Sequence, residues 1–287
     1  MPIFNMVGGG GYKSLGTTWM ERSKLPYGFY SGSAVVLNDE IHILGGYDGM
    51  YGINDHYKWD GSSWTKLSTL PNTFYDGSAV VFNNEIHILG GYYTSTNHYK
   101  WNGSTWKSVS TLPYDFVQGS AVVLNGEIHI LGGNSSSGST KHYKWNGSKW
   151  KSVSTLPYAI DSHPAVVCNN EIHILGSPIS AYEHSHYKWT GSSWTNAEPS
   201  TSIPYNNSNG SVVVLNDEIH FLGGGNIYSY KLHYKWNGSS WESVSTLPYD
   251  FVQGSAVVLN DEIHILGSSG SSSEKNHYSY GEVYTKA

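Results

Sequence analysis

A twelve-residue phrase recurs six times in this chain, and any fold must place all six copies equivalently. It reads AVVLNDEIHILG from Ala34, AVVFNNEIHILG from Ala79, AVVLNGEIHILG from Ala121 and AVVCNNEIHILG from Ala165. VVVLNDEIHFLG from Val212 and AVVLNDEIHILG from Ala256 complete the set. Successive copies start 45, 42, 44, 47 and 44 residues apart. A period of this size marks supersecondary units that are stacked or arranged around an axis. A scaffold of that kind presents loops, so function is to be sought where the copies differ.

The stretch from Gly32 to Pro71 serves as one repeat. Ser33 to Leu37 is a short β-branched run, Asn38-Asp39 follows, and Glu40 to Leu44 is a second apolar run. Two such runs around an Asn/Asp turn read as a β-hairpin. Gly45-Gly46 ends the second strand, His56-Tyr-Lys-Trp59 is a third, Asp60-Gly61 supplies another hairpin turn, and Trp64-Thr-Lys66 is a fourth. Leu70-Pro71 punctuates the exit. Nothing in the repeat has helical spacing. A four-stranded meander of this kind is the blade of a β-propeller, and six copies predict an all-β, six-bladed ring of antiparallel blades.

The same residues carry a family resemblance. A glycine pair closes the second strand at Gly45-Gly46, Gly90-Gly91, Gly132-Gly133 and Gly223-Gly224. An aromatic pair joins the third and fourth strands at Trp59/Trp64, Trp101/Trp106, Trp145/Trp150, Trp189/Trp194 and Trp236/Trp241. This pattern resembles the kelch repeat over nearly the whole chain. Copies four and six depart from it with Gly176-Ser177 and Gly267-Ser268, and His stands where kelch strands commonly carry Tyr. The resemblance implies a propeller that holds a peptide or protein partner over one loop face.

Residues 1–287 then form one domain, with closing strand material within residues 1–26 and six repeats from about residue 32. Five repeats supply ten of the eleven tryptophans; the eleventh, Trp19, lies seven residues ahead of Pro26, as Trp64 lies seven ahead of Pro71. The sixth repeat reaches His277-Tyr-Ser-Tyr280 with no Trp after it. The strand around Trp19 is therefore expected to complete the last blade and remove the open sheet edges of an unclosed ring. Tyr12-Lys13 and His277–Tyr280 both qualify as its third strand, and Val283–Lys286 imitates a fourth.

Composition narrows the chemistry. Apolar residues are 38% of the chain, and 23 Tyr with 11 Trp add large part-apolar surfaces, enough for a sizeable core. The net charge is −6 and Arg22 is the single arginine, which argues against a nucleic-acid partner. No apolar run approaches a membrane span. MPIFNMVGGGG lacks the basic start of a signal peptide, which fits a cytoplasmic or virion-associated protein better than classical secretion. Cys168, the one cysteine, reads as a small buried hydrophobe.

Catalytic, metal and cofactor sites are not expected. Glu-x-His recurs at Glu40/His42, Glu85/His87, Glu127/His129, Glu171/His173, Glu218/His220 and Glu262/His264, and each pair shares a strand face. One metal needs ligands converging on a point, whereas these pairs repeat around a ring, so they read as structural hydrogen-bonding groups. The same holds for His56, His98, His142, His186, His233 and His277 of the HYKW-type strands. Asn102, Asn146 and Asn237 match glycosylation sequons but occupy a hairpin turn that demands positive φ. Galactose-oxidase-like copper chemistry needs a Cys–Tyr crosslink that Cys168, inside a strand, is badly placed to form. Sialidase chemistry needs an arginine cluster. Gly8 to Gly11 lack the Lys-Ser/Thr of a phosphate loop.

Variation concentrates in two sets of loops that four antiparallel strands place on one face. The loop entering each phrase has constant length after its proline, and its third position is an apolar anchor in most copies: Phe29, Phe74, Phe116, Ile160, Asn207 and Phe251. The next two positions change most and are expected to ring the channel mouth: Tyr30-Ser31, Tyr75-Asp76, Val117-Gln118, Asp161-Ser162, Ser208-Asn209 and Val252-Gln253. The candidate ligand-binding residues are Tyr30, Ser31, Tyr75, Asp76, Gln118, Asp161, Ser208, Asn209 and Gln253. Tyr47, Tyr93, Tyr182 and Tyr228 join them from the loops between second and third strands. Tyr, Ser, Gly and Asn together give rigid amphipathic contact area at low entropic cost, as in binding loops. A protein or peptide ligand is the first expectation; a carbohydrate, as in a cell-surface or phage-tail module, and a purely structural repeat protein are the alternatives. Ser108–Asn125 and Ser243–Asn260 are identical over eighteen residues, tips included, which points to duplication within the chain.

Overall fold

A computed structural model describes residues 12–133, 138–176, 185–197, 208–224, 230–269 and 274–286. Six four-stranded antiparallel sheets are arranged as a β-propeller. Blade 1 runs outward as Ser33–Leu37, Glu40–Leu44, His56–Trp59 and Trp64–Lys66. The innermost strands of successive blades adjoin one another, and that of the sixth, Ser255–Leu259, meets that of the first. Among the described residues no helix is long and apolar enough to cross a membrane.

Local sequence explains each blade. Asn38 and Asp39 both have positive φ (54° and 59°), the geometry that matches the right-handed twist of a two-residue hairpin. In the outer hairpin, the Asp60 carboxylate accepts the amides of Ser62 and Ser63. Asn102, Asn146 and Asn237 use their side-chain carbonyls in the same way, so the sequon asparagines hold turns.

The core lies between blades. Val35, Leu37 and Leu44 of blade 1 pack on Leu70, Phe74, Ile86, Ile88 and Trp101 of the second unit. Val257, Leu259 and Leu266 of blade 6 close the ring on Leu25, Phe29, Ile41, Ile43 and Trp59. Cys168 sits in one such seam with Ile219, Phe221 and Trp236. Burial raises its pKa and keeps the thiol protonated.

Glycine pairs lock these seams. At Gly45 (φ 61°) an added Cβ would stand 2.0 Å from the carbonyl oxygen of Phe74, and the next amide, Gly46, donates to that oxygen at 2.7 Å. The anchors Phe29, Phe74, Phe116, Ile160 and Phe251 are buried as expected, while Asn207 lies outside the described residues.

The closing blade settles which terminus does what. Its order is Tyr12–Glu21, His277–Lys286, Glu262–Leu266, Ser255–Leu259, so the C-terminal strand is third and the N-terminal strand is outermost. Val283–Lys286 does not form a separate fourth strand. It continues the third and pairs with residues 12–16, because the two ends form one long antiparallel ribbon. Trp19 pairs with Tyr280, just as Trp64 pairs with Trp59. In five blades a lysine bridges the Glu of the phrase, as Lys58 does to Glu40 at 2.7 Å. Blade 6 has Ser279 at that place, and Arg22 from the N-terminal segment reaches Glu262 at 2.7 Å instead.

The twelve strand histidines form six buried pairs. His42 Nδ1 and His56 Nε2 are 2.8 Å apart, and the other five blades repeat the contact at 2.7–3.0 Å. One ring donates and its partner accepts, so neutral imidazoles satisfy the contact. Burial pushes the pKa of the Glu-x-His histidines down to about 4, against a smaller upward pull from the adjacent Glu. Their partners are pushed down further by burial and by the neighbouring imidazole.

Two outcomes follow. An unfolded histidine titrates near about 6.5, so as pH falls from there towards 4 the unfolded chain takes up protons that the native ring does not. Stability is therefore complete above about pH 7 and lost on acidification through this window. The urea midpoint, followed by tryptophan fluorescence, should drop steeply between pH 7 and pH 4; a flat profile would contradict neutral pairs. Gly45→Ala should cost about 4 kcal/mol or more, the range of severe single substitutions. Gly61→Ala, in open space at φ 99°, should cost only roughly 1–2 kcal/mol.

Candidate functional site

The loops entering the blades converge on the channel axis and close a hoop of backbone hydrogen bonds. Asp76 N donates to Ser31 O, Gln118 N to Asp76 O, and Ser162 N to Gln118 O. Asn209 N then donates to Ser162 O, Gln253 N to Asn209 O, and Ser31 N to Gln253 O, all six at 2.6–3.0 Å. Each member has positive φ, between 53° and 62°. The left-handed turn lets one peptide serve both neighbours around the ring, and it is uncommon enough in non-glycine residues to need such support.

The hoop frames a cavity of about 250 Å³ lined by Ser31, Asp76, Gln118, Ser162, Asn209 and Gln253, with serines and alanines of the innermost strands below. Serine hydroxyls make a second, open hoop. Ser33 donates to Gly77 O, Ser78 to Gly119 O, Ser120 to His163 O, Ser211 to Gly254 O and Ser255 to Gly32 O. Pro164 occupies the sixth place and has no hydroxyl. A second cavity of about 370 Å³ is walled by valines of the innermost strands, including Val36, Val81 and Val123. The passage thus changes from a polar mouth to an apolar wall.

Of each pair of tip residues, only the second lines the mouth. Ser31, Asp76, Gln118, Asn209 and Gln253 are there, whereas Tyr30, Tyr75, Asp161 and Ser208 are not among its lining. The reason is the reversal at the left-handed residue, which turns its predecessor away from the axis; Val117 is buried outright. Ser162, not Asp161, is the hoop member of its loop. Aligning the six constant-length loops position by position would have found it. Tyr182 and Tyr228 lie outside the described residues.

Tyr30 and Tyr75 build a different feature, a tyrosine ridge on blades 1 and 2. Tyr47 N donates to Tyr30 O and Tyr92 N to Tyr75 O, tying each tip to the loop between second and third strands. Ring centroids are 5.5 Å apart for Tyr30–Tyr47 and for Tyr47–Tyr75. The run continues to Tyr92, stacked on Tyr75 at 5.4 Å, and to Tyr93 at 5.9 Å. Tyr92 is 53% exposed and Tyr93 72%, so the far end of the ridge offers open ring surface. Burial, together with a hydrogen bond to Tyr93, pushes the Tyr75 phenol well up, so it stays protonated.

No protein-family model and no curated protein matches the chain. Among solved structures it is similar to that of YjhT, with a TM-score of 0.74, 15% identity, and coverage of 93% of this chain and 97% of the other. The likeness is one of fold. It supports the six-bladed propeller and assigns no ligand or activity.

One carboxylate, Asp76, lines the mouth, and a second, Asp161, acts on it from beside the hoop. Burial raises the pKa of Asp76, a hydrogen bond from Ser31 lowers it, and the charge of Asp161 raises it again. Burial likewise raises Asp161. No lysine or arginine among the described residues lines the cavity. Among the described residues no three His, Cys, Asp or Glu converge as a metal-binding group.

Because the hoop is held by backbone groups, its stability should depend on φ and little on side-chain chemistry. Gln118→Gly is expected to be neutral or to stabilise by about 1 kcal/mol, and Gln118→Val to destabilise by about 2 kcal/mol, since a β-branched residue resists the left-handed region. Equal urea midpoints for the two variants would contradict a strained hoop.

Proposed function

We propose that this protein is a non-catalytic binding module of kelch-like type that recognises a protein or peptide through the loop face. The observation that carries this reading is the separation of frame from surface. Six backbone hydrogen bonds fix where the tips stand, while the side chains they present differ between blades, apart from the identical Val117-Gln118 and Val252-Gln253. Rigid, pre-placed tips lower the entropic cost of binding, and aromatic residues dominate the energetics of such contacts.

The distribution of the tyrosines favours one polypeptide site over a carbohydrate lattice. A lectin-like ring would repeat the aromatic platform in each blade. Among the described residues the contiguous ridge is confined to the sector of Tyr30, Tyr47, Tyr75, Tyr92 and Tyr93, beside the mouth. Exposed tyrosines also stack on sugars, so glycans form the control arm of the test.

Purified protein screened against peptide and glycan arrays should bind peptides. The double variant Tyr30→Ala/Tyr75→Ala should weaken that binding by about tenfold or more, the scale of a hot-spot residue, with an unchanged β-sheet circular dichroism spectrum. Glycan binding lost in the same variant would replace this reading with a lectin. Peptide affinity unchanged by the variant would move the site elsewhere.

A further inference from the structure

Resting on that reading, we propose that the segment recognised is cationic: a lysine or arginine side chain of a partner polypeptide seats on the Tyr30–Tyr47–Tyr75 ridge between carboxylates at the rim of the mouth. Three acids surround the inner end of the ridge. The Glu274 carboxylate lies over Gly28 and beside Gly49; an added Cβ at those glycines would stand 2.9 Å and 3.7 Å from its oxygens. Asp48 is fixed by the amides of Met50 and Tyr51, which donate to its Oδ1 at 2.9 and 2.7 Å. Those bonds hold its pKa below the usual value, so it is charged at neutral pH. Asp76 follows Tyr75 directly and belongs to the hoop. The charges of Glu274, Asp48 and Asp76 all act on the Tyr30 hydroxyl, after burial and Tyr47.

A cation meets two favourable surfaces here. Tyrosine faces attract it through the ring quadrupole, and the carboxylates supply charge partners. Among the described residues an anionic ligand would find no lysine or arginine lining the mouth. The chain already uses the same chemistry on its own cations. Lys66 stands over the Tyr57 ring at 5.6 Å while paired with Asp55 at 2.7 Å, and Lys141 stands over Tyr114 at 4.6 Å. Among the described residues, no lysine or arginine is stacked in this way on Tyr30, Tyr47, Tyr75, Tyr92 or Tyr93. The net charge of −6 adds a long-range attraction of the same sign.

The test uses the full chain and three pools of fluorescent octapeptides, degenerate except for a central arginine, citrulline or glutamate. Citrulline keeps the shape of arginine and removes its charge. The arginine pool should bind about tenfold or more tighter than the citrulline pool. In Asp48→Asn/Asp76→Asn the two pools should differ by less than about twofold, with citrulline binding little changed. Asparagine at position 48 retains the oxygen that accepts the Met50 and Tyr51 amides, and melting curves check that the ring is intact. Equal binding of the pools, or preference for glutamate, with affinity still lost in Tyr30→Ala/Tyr75→Ala, would overturn the cationic ligand and leave peptide recognition standing. Arginine preference that survives both double variants would overturn this placement. Absence of binding by every pool at millimolar concentration would overturn both readings.

Discussion

The structure depends on one contact: the carbonyl of an anchor residue seated against a left-handed glycine of the preceding blade. Phe74 on Gly45, Phe116 on Gly90 and Phe251 on Gly223 each leave an oxygen 2.0 Å from where a Cβ would be, and Phe29 on Gly267 closes the circle at 1.8 Å. A blade by itself has no core, because Val35, Leu37 and Leu44 face the next unit. The anchor fixes how closely that unit approaches and hands the chain directly to the tip residue. Seam packing and mouth geometry are therefore set by the same few atoms.

Departures from the repeat keep this constraint by compensation. In four loops the anchor ring folds over a glycine three residues later, with Phe29 lying over Gly32, Phe74 over Gly77, Phe116 over Gly119 and Phe251 over Gly254. In the fifth repeat the Phe of EIHFLG, Phe221, fills that space over Gly210. In the fourth the anchor is the smaller Ile160, and His163 replaces the glycine and packs against Gly176. The volume is conserved while the residue that fills it changes, as close-packed interiors require. The same logic operates in the closing blade, where Arg22 takes over the ion-pairing place of the missing lysine.

Two polar systems share the ring and have different consequences. The histidine pairs are interior and neutral, and their burial ties the fold to pH. The hoop is held by peptide groups, so side chains that tolerate the left-handed region can vary at little cost to the frame. That division explains how near-identical phrases support tips as unlike as Tyr75-Asp76 and Val117-Gln118.

Much of this was legible in the sequence because its determinants are local. Period-two apolar runs, Asn-Asp and Asp-Gly turns and the recurrent tryptophans determined six four-stranded blades. The lone Trp19 and the end of repeat six without a Trp pointed to a clasp but left open which terminus supplies its third strand, and the mostly apolar third position of the entry loops marked the buried anchors. Contacts between distant residues were decided only in the closed ring. His42 shares a strand face with Glu40 in sequence, yet its partner is His56 on the neighbouring strand, and Glu40 turns to Lys58. Ser162 is in register with Ser31, Asp76, Gln118, Asn209 and Gln253 in the chain, but that these second positions face the axis and their predecessors do not is decided by the hoop, which joins residues some 45 apart. Tyr30 and Tyr75 belong to separate repeats, and Tyr47 brings them into one ridge through ring contacts that span two blades. Secondary structure follows from neighbours in sequence; the site follows from ring closure, which fixes the distance between residues that the chain alone leaves independent.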